Sequence, residues 1–268
     1  MVLIVCLHAF ATGAMAVAGP HGDVDLISDQ TAIQPGRIFR VGLHFHLEKG
    51  WHIYWLNPGD SGEPPKVQWT LPEGYRAGPL MWPTPRRIPD HSLIDYGYED
   101  EVLLPAEIRP PVNLATGHEA GLGLSVTWLV CREVCIPGRA ALTLSLPVRK
   151  DARGVPPAQE RLFLKTNAEL PKPAPNQWKL AGTLDGREFN LVVETGRREA
   201  GATFFPLEPD QIENAAPQNA TPLARGIQLK LRRSDQLLKP VTSLTGILVL
   251  ESARSYIIKV LIRTSKSG

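Results

Sequence analysis

From Phe39 to Glu48 the chain alternates without a break: Phe39, Val41, Leu43, Phe45 and Leu47 are apolar, and Arg40, Gly42, His44, His46 and Glu48 between them are polar or small. A period of two places all the apolar side chains on one face of an extended strand, whereas a helix would scatter them round its circumference. The same pattern returns at Leu122, Leu124, Val126, Trp128 and Val130, and at Leu142, Leu144 and Leu146. Trp51 to Leu56, Val67 to Thr70 and Val102 to Ile108 add shorter strands, set off by turns such as Asn57-Pro58-Gly59 and Leu71-Pro72-Glu73-Gly74. Many short strands with turn signals between them predict a β-sandwich.

The pattern changes between Pro157 and Leu170, where Gln159, Glu160, Arg161, Leu162 and Leu164 predict one helix, followed by Pro171-Lys172-Pro173-Ala174-Pro175. A Pro-rich run of this kind predicts a semi-rigid spacer. Strands resume at Phe189 to Glu194, Ile227 to Arg232, Gly246 to Leu250 and Tyr256 to Ile262. The expectation is an all-β chain of two β-sandwich domains, 19–152 and 176–268, joined over 153–175 by a short helix and a Pro-rich linker. Its 268 residues suit two domains, each large enough for its own core. The 29 basic and 27 acidic residues are interspersed and nearly cancel, which leaves no electrostatic footprint for nucleic acid.

Met1 to Ala18 is an apolar run with the small-x-small sites Ala14-Met15-Ala16 and Ala16-Val17-Ala18, and it reads as a secretory signal peptide, with an apolar N-terminal strand or membrane anchor as the alternative because no Lys or Arg precedes Arg37. No other stretch approaches the roughly twenty apolar residues that span a bilayer, so the mature chain is expected not to cross a membrane. With Cys6 removed in the leader, Cys131 and Cys135 remain, and in an oxidising compartment such a pair is expected to bridge. Cysteines four apart on a straight strand sit roughly 13 Å apart, beyond the disulfide limit of about 6.8 Å between Cα atoms. Arg132-Glu133-Val134 must therefore form a tight loop or bulge. Strand parity puts Cys131 on the face opposite Trp128 and Val130, nearer the surface than the core. A bridge closing so short a loop gains roughly 3 kcal/mol or less, and exposed bridges tend to be labile. Spacing alone leaves both a redox pair and a bridge that merely locks a hairpin. Arg132 favours a thiolate and Glu133 opposes it.

Three segments carry a resemblance: Gly50-Trp51-His52-Ile53-Tyr54-Trp55-Leu56-Asn57-Pro58-Gly59-Asp60-Ser61-Gly62, then Tyr96-Gly97-Tyr98-Glu99, then Trp128-Leu129-Val130-Cys131-Arg132-Glu133-Val134-Cys135-Ile136-Pro137-Gly138. Together they resemble the periplasmic amino-terminal region of DsbD-family thiol:disulfide interchange proteins, and the branch resembled is the ScsB type linked to copper tolerance. The likeness covers about residues 22–150, and Thr203-Phe204-Phe205-Pro206-Leu207 resembles the second periplasmic segment of that branch.

The resemblance implies an immunoglobulin-like domain in the periplasm of a Gram-negative bacterium. Its cysteine pair would accept electrons from a membrane donor and pass them to oxidised thioredoxin-fold proteins, with no cofactor. Cys135 would form the mixed disulfide and Cys131 resolve it. His52 and Tyr54 fall where aromatic residues flank the family's site, and also read as ordinary strand residues at a sheet edge. Tyr96 and Gly97 match the cap loop that shields the disulfide, while Asp95 stands where better-studied members carry a shielding Phe. The three-residue spacing between the cysteines is shorter than in the best-known branch. The chain stops at Gly268 without membrane-spanning segments or a thioredoxin-like domain. It reads as a stand-alone receiver or a fragment, reduced by a donor on another chain.

Two other readings compete. His44, His46 and His52 join the cysteines as potential metal ligands, with His44 and His46 on one strand face. The ordinary reading of that face is a solvated exterior, since spacing places no fourth ligand. The second is a non-catalytic interaction protein of two sandwiches with a structural bridge. Pro58-Gly59-Asp60-Ser61-Gly62 superficially resembles a serine loop but lacks the G-x-S-x-G arrangement, and reads as a turn.

Overall fold

A computed structural model describes residues 16–151, 155–237 and 240–264. Most of the expected leader, Cys6 included, lies outside them. The first unit holds eleven strands: β1 (Val17–Gly19), β2 (Gly22–Ser28), β3 (Phe39–Leu47), β4 (His52–Gly59), β5 (Lys66–Thr70), β6 (Arg76–Ala77), β7 (Arg86–Asp90), β8 (Leu93–Glu99), β9 (Glu101–Arg109), β10 (Glu119–Cys131) and β11 (Cys135–Pro147). They form two sheets, β1-β2-β3-β9-β6 and β11-β10-β4-β8-β7, with β5 laid along β10. The alternation in the sequence sets which faces meet. Val41, Leu43 and Phe45 of β3 point inward, as do Leu122, Leu124, Val126 and Val130 of β10, all buried. Trp128 crosses the gap to meet Phe45 edge-to-face, with ring centres 5.4 Å apart. This is the all-β immunoglobulin-like sandwich that the sequence leads one to expect.

Helix α1 (Pro157–Glu169) starts on Pro157, whose missing N–H costs nothing at a first turn. It lies against the outer face of the first sheet, where Phe163 packs with Ile27 and Leu103. Arg40 caps this contact, its guanidinium 5.3 Å from the Phe163 ring centre. The run after the helix does not act as a free spacer: β12 (Lys172–Pro173) pairs in parallel with a strand of the second unit.

That unit comprises β13 (Lys179–Asp185), β14 (Glu188–Glu194), β15 (Ala202–Pro206), β16 (Asn219–Leu223), β17 (Gly226–Arg232), β18 (Ser243–Leu250) and β19 (Ser255–Thr264), with β12 on β19. The strand path β15-β18-β19-β13-β14-β17-β16 encloses a core that includes Phe189, Leu191, Phe204, Leu229, Leu248 and Val260. The two units share apolar packing. Phe205 and Ile247 enter the core of the first sandwich, with the Phe205 ring centre 5.0 Å from Tyr96 and 6.2 Å from Trp55.

Candidate functional site

The cysteines sit at the turn end of the β10–β11 hairpin. Register runs unbroken from Glu119↔Pro147 to Cys131↔Cys135, and Arg132, Glu133 and Val134 close the loop between them. This is the turn that the spacing demands. It brings the two Cα atoms to 4.2 Å and the sulfurs into a disulfide with S–S 2.07 Å. Arg132 folds back over Trp51, 5.1 Å from its ring centre, which ties the loop to the strand entry below it.

The two cysteines differ in access. Cys135 is exposed, whereas Cys131 is buried at 3%. The expectation that Cys131 lies near the surface therefore fails, although its face is the outward one. Cys131 pairs across strands with His52, and the outward side chains of β4 are themselves covered, His52 at 4% and Tyr54 at 0% exposure. Parity gives the direction a side chain points, but not what lies on top of it.

Beside the disulfide is a chain of polar contacts. The Tyr54 hydroxyl lies 3.5 Å from Cys135 Sγ and 3.3 Å from Ser61 Oγ. Ser61 donates to Asp95 from both its backbone N–H, at 3.1 Å, and its hydroxyl, at 2.9 Å. His52 Nε2 stands 3.6 Å from Asp95 Oδ2, within ion-pair reach though not hydrogen-bonded, and both residues are buried. Burial, with the Asp95 carboxylate close by, pushes the Tyr54 phenol up to about 12. Gly62, at φ +72°, passes so close that a Cβ there would lie 2.0 Å from the Tyr54 ring.

Cys131, Cys135, His52, Tyr54 and Asp95 thus gather in one place, with Gly97 paired opposite Tyr54. Tyr96 does not join them. It lies on strand β8 rather than in a cap loop, points the other way, and donates its hydroxyl to Asn214 Oδ1 at 2.8 Å. Ser61, read from sequence only as part of a turn, is the residue that links Asp95 to Tyr54. The turn motif gave no signal for this role, since the hydroxyl's partners are Tyr54 and the distant Asp95. His52 lies on the second sheet, apart from His44 and His46 on the first, so the three histidines do not form one ligand set.

The loop that carries Ser61 is held from the second unit. Asn57 donates to the carbonyls of Pro206, at 2.8 Å, and Glu208, at 3.3 Å. Asp60 accepts from Asn214 Nδ2 at 2.8 Å and from the Ile94 N–H at 2.8 Å.

A sandwich with an exposed cysteine bonded to a buried one across a hairpin end belongs to the class of disulfide-bearing immunoglobulin-like domains. Residues 23–147, nearly all of the first sandwich, match the family described as thiol:disulfide interchange protein DsbD, N-terminal. That match bears out the resemblance read from the sequence. The N-terminal periplasmic domain of ScsB from Proteus mirabilis shares the fold, with a TM-score of 0.66 at 17% identity over 93% of this chain and 97% of that one. The periplasmic chaperone SfaE aligns with a TM-score of 0.23 at 12% identity, over 90% of this chain and 100% of its own. A chaperone–tip adhesion subunit complex, CsuC–CsuE of Acinetobacter baumannii, gives 0.24 at 13%, over 90% and 99%. No curated protein sequence matches the chain. Among the described residues no helix is long and apolar enough to cross a membrane.

Proposed function

We propose that this chain relays electrons in the periplasm by thiol–disulfide exchange through Cys131 and Cys135. It would be reduced by a membrane donor and would in turn reduce oxidised thioredoxin-fold proteins. The observation that carries the reading is the unequal access of the two sulfurs: a partner can reach Cys135, while Cys131 is buried directly behind it. In the dithiol form the Cys135 thiolate attacks a partner disulfide. A Cys135–partner bond forms, and one partner sulfur leaves as thiolate and takes up a proton. Cys131, deprotonated in turn, attacks Cys135 Sγ, restores the internal disulfide and releases the second partner thiol. Two electrons and two protons pass to the partner.

The surroundings fit these roles. Tyr54 has its hydroxyl within reach of both Cys135 Sγ and Ser61 Oγ; Ser61 gives its own proton to Asp95, so the one phenolic proton can turn from Ser61 to the Cys135 thiolate when the bridge opens. Val134, 63% exposed next to Cys135, offers apolar surface to a docking partner. Substituting Cys131→Ser is expected to accumulate a mixed disulfide with periplasmic proteins, and Cys135→Ser to leave none. Equal trapping by both variants would refute the assignment. A reduction potential below about −300 mV would instead place the bridge with structural disulfides and favour the non-catalytic interaction protein.

A further inference from the structure

The outer face of the first sheet carries a second cluster that the exchange chemistry does not use. Strand register aligns Asp25 opposite His44, and His46 opposite Glu101. Residues directly opposite across a ladder share a face, as do residues two apart along a strand, so all four side chains leave the sheet on the same side. Their positions follow from topology, because β3 runs between β2 and β9. We infer that His44, His46 and Glu101 form a binding site for a divalent transition-metal ion of the zinc type, with Asp25 orienting His44.

One ligand atom from each of the three residues lies within 4.8 Å of the others. His44 Nε2 and Glu101 Oε1 stand 3.2 Å apart. Two tetrahedral ligands, each about 2.0–2.1 Å from one zinc ion, lie about 3.3 Å apart. His46 is exposed, so its ring is free to turn and close the remaining gap. On the other side of the His44 ring, Nδ1 lies 2.9 Å from Asp25 Oδ1. In the empty site Nδ1 donates to Asp25 and Nε2 to Glu101; a metal ion at Nε2 takes the place of that second proton and leaves Nδ1–H on Asp25. A carboxylate behind a histidine is the usual second support of a metal ligand. Two imidazoles and one carboxylate select a borderline transition ion over magnesium or calcium.

Lys165 lies 3.5 Å from Glu101 Oε2 and neutralises it in the empty site. At 53% side-chain exposure it can swing into solvent when an ion arrives. A groove lined by Ala158, Gln159 and Leu162 of α1 borders His44 and Glu101, leaving room for a fourth ligand from water.

The test is a zinc(II) titration of the full chain, free of any affinity tag, with its disulfide intact so that the thiols cannot compete. Calorimetry and competition with a chromogenic chelator give the affinity. One equivalent is expected to bind. His46→Ala and Glu101→Ala should each weaken binding at least tenfold, and Asp25→Asn should weaken it about ten- to hundredfold, while His52→Ala leaves it unchanged. Binding no tighter than about millimolar, or an affinity indifferent to His46→Ala, overturns the inference. Because His46 is exposed, its variant should fold, and combined with Cys131→Ser it should trap partners through Cys135 as Cys131→Ser alone does. The two sites can therefore fail separately.

Discussion

Tyr54 shows how much of the site depends on single side chains. Its ring is fully buried, yet its hydroxyl reaches both Ser61 and Cys135. Folding holds its proton from the ordinary value of 10.0 up to about 12. Since the folded value is the higher, the stability tied to the protonated phenol is whole below pH 10 and is lost as pH rises toward 12. Alkaline difference spectra of the parent against Tyr54→Phe should show a phenol ionising late, and the variant should lose less stability over that window. A Tyr54 signal at the ordinary value would remove the buried-phenol picture. At this scale the sequence was only partly legible. The cysteines stand out through type and spacing, and His52 and Tyr54 through the family resemblance, but Ser61 becomes a site residue only through Asp95, 34 positions away.

At the scale of elements, strands with one wet face were easy to read and strands covered on both faces were not. β3 and β10 announce themselves by alternation. β8 does not, because Asp95, Tyr96, Gly97 and Tyr98 are all buried, one face against the disulfide site and the other in the core that Phe205 enters. Its polar and aromatic residues follow no period of two, and the segment looks like a loop. The Asn57–Gly62 turn is as tightly fixed. Gly62→Ala would drive a methyl group into the Tyr54 ring at a positive φ that side chains resist. It should cost about 1–3 kcal/mol by overpacking, and should speed reduction of the disulfide by a small thiol by moving Tyr54 aside. Unchanged melting and reduction rates would mean that the turn is slack.

For the whole molecule, the sequence marks two β units and one helix but not how they join. Pro171 to Pro175 suggests separation, yet Lys172–Pro173 extends the second sheet and α1 is docked on the first. The joint lies in Phe205 against Trp55 and Tyr96, contacts between residues about 110 to 150 apart that no local pattern reveals. Phe205→Ala should cost about 3–5 kcal/mol and split a single melting transition into two, read by calorimetry; one sharp transition at the parental temperature would show that the units melt together without it. The hairpin register has a different consequence. Thirteen successive residue pairs join β10 to β11, and the cysteines are merely the last of them. Opening the bridge leaves the other rungs closed, so oxidised and reduced molecules present the same silhouette. Discrimination between them is then local and kinetic: a partner must reach the sulfurs to learn their state, and fruitless encounters end by dissociation rather than by a change of shape.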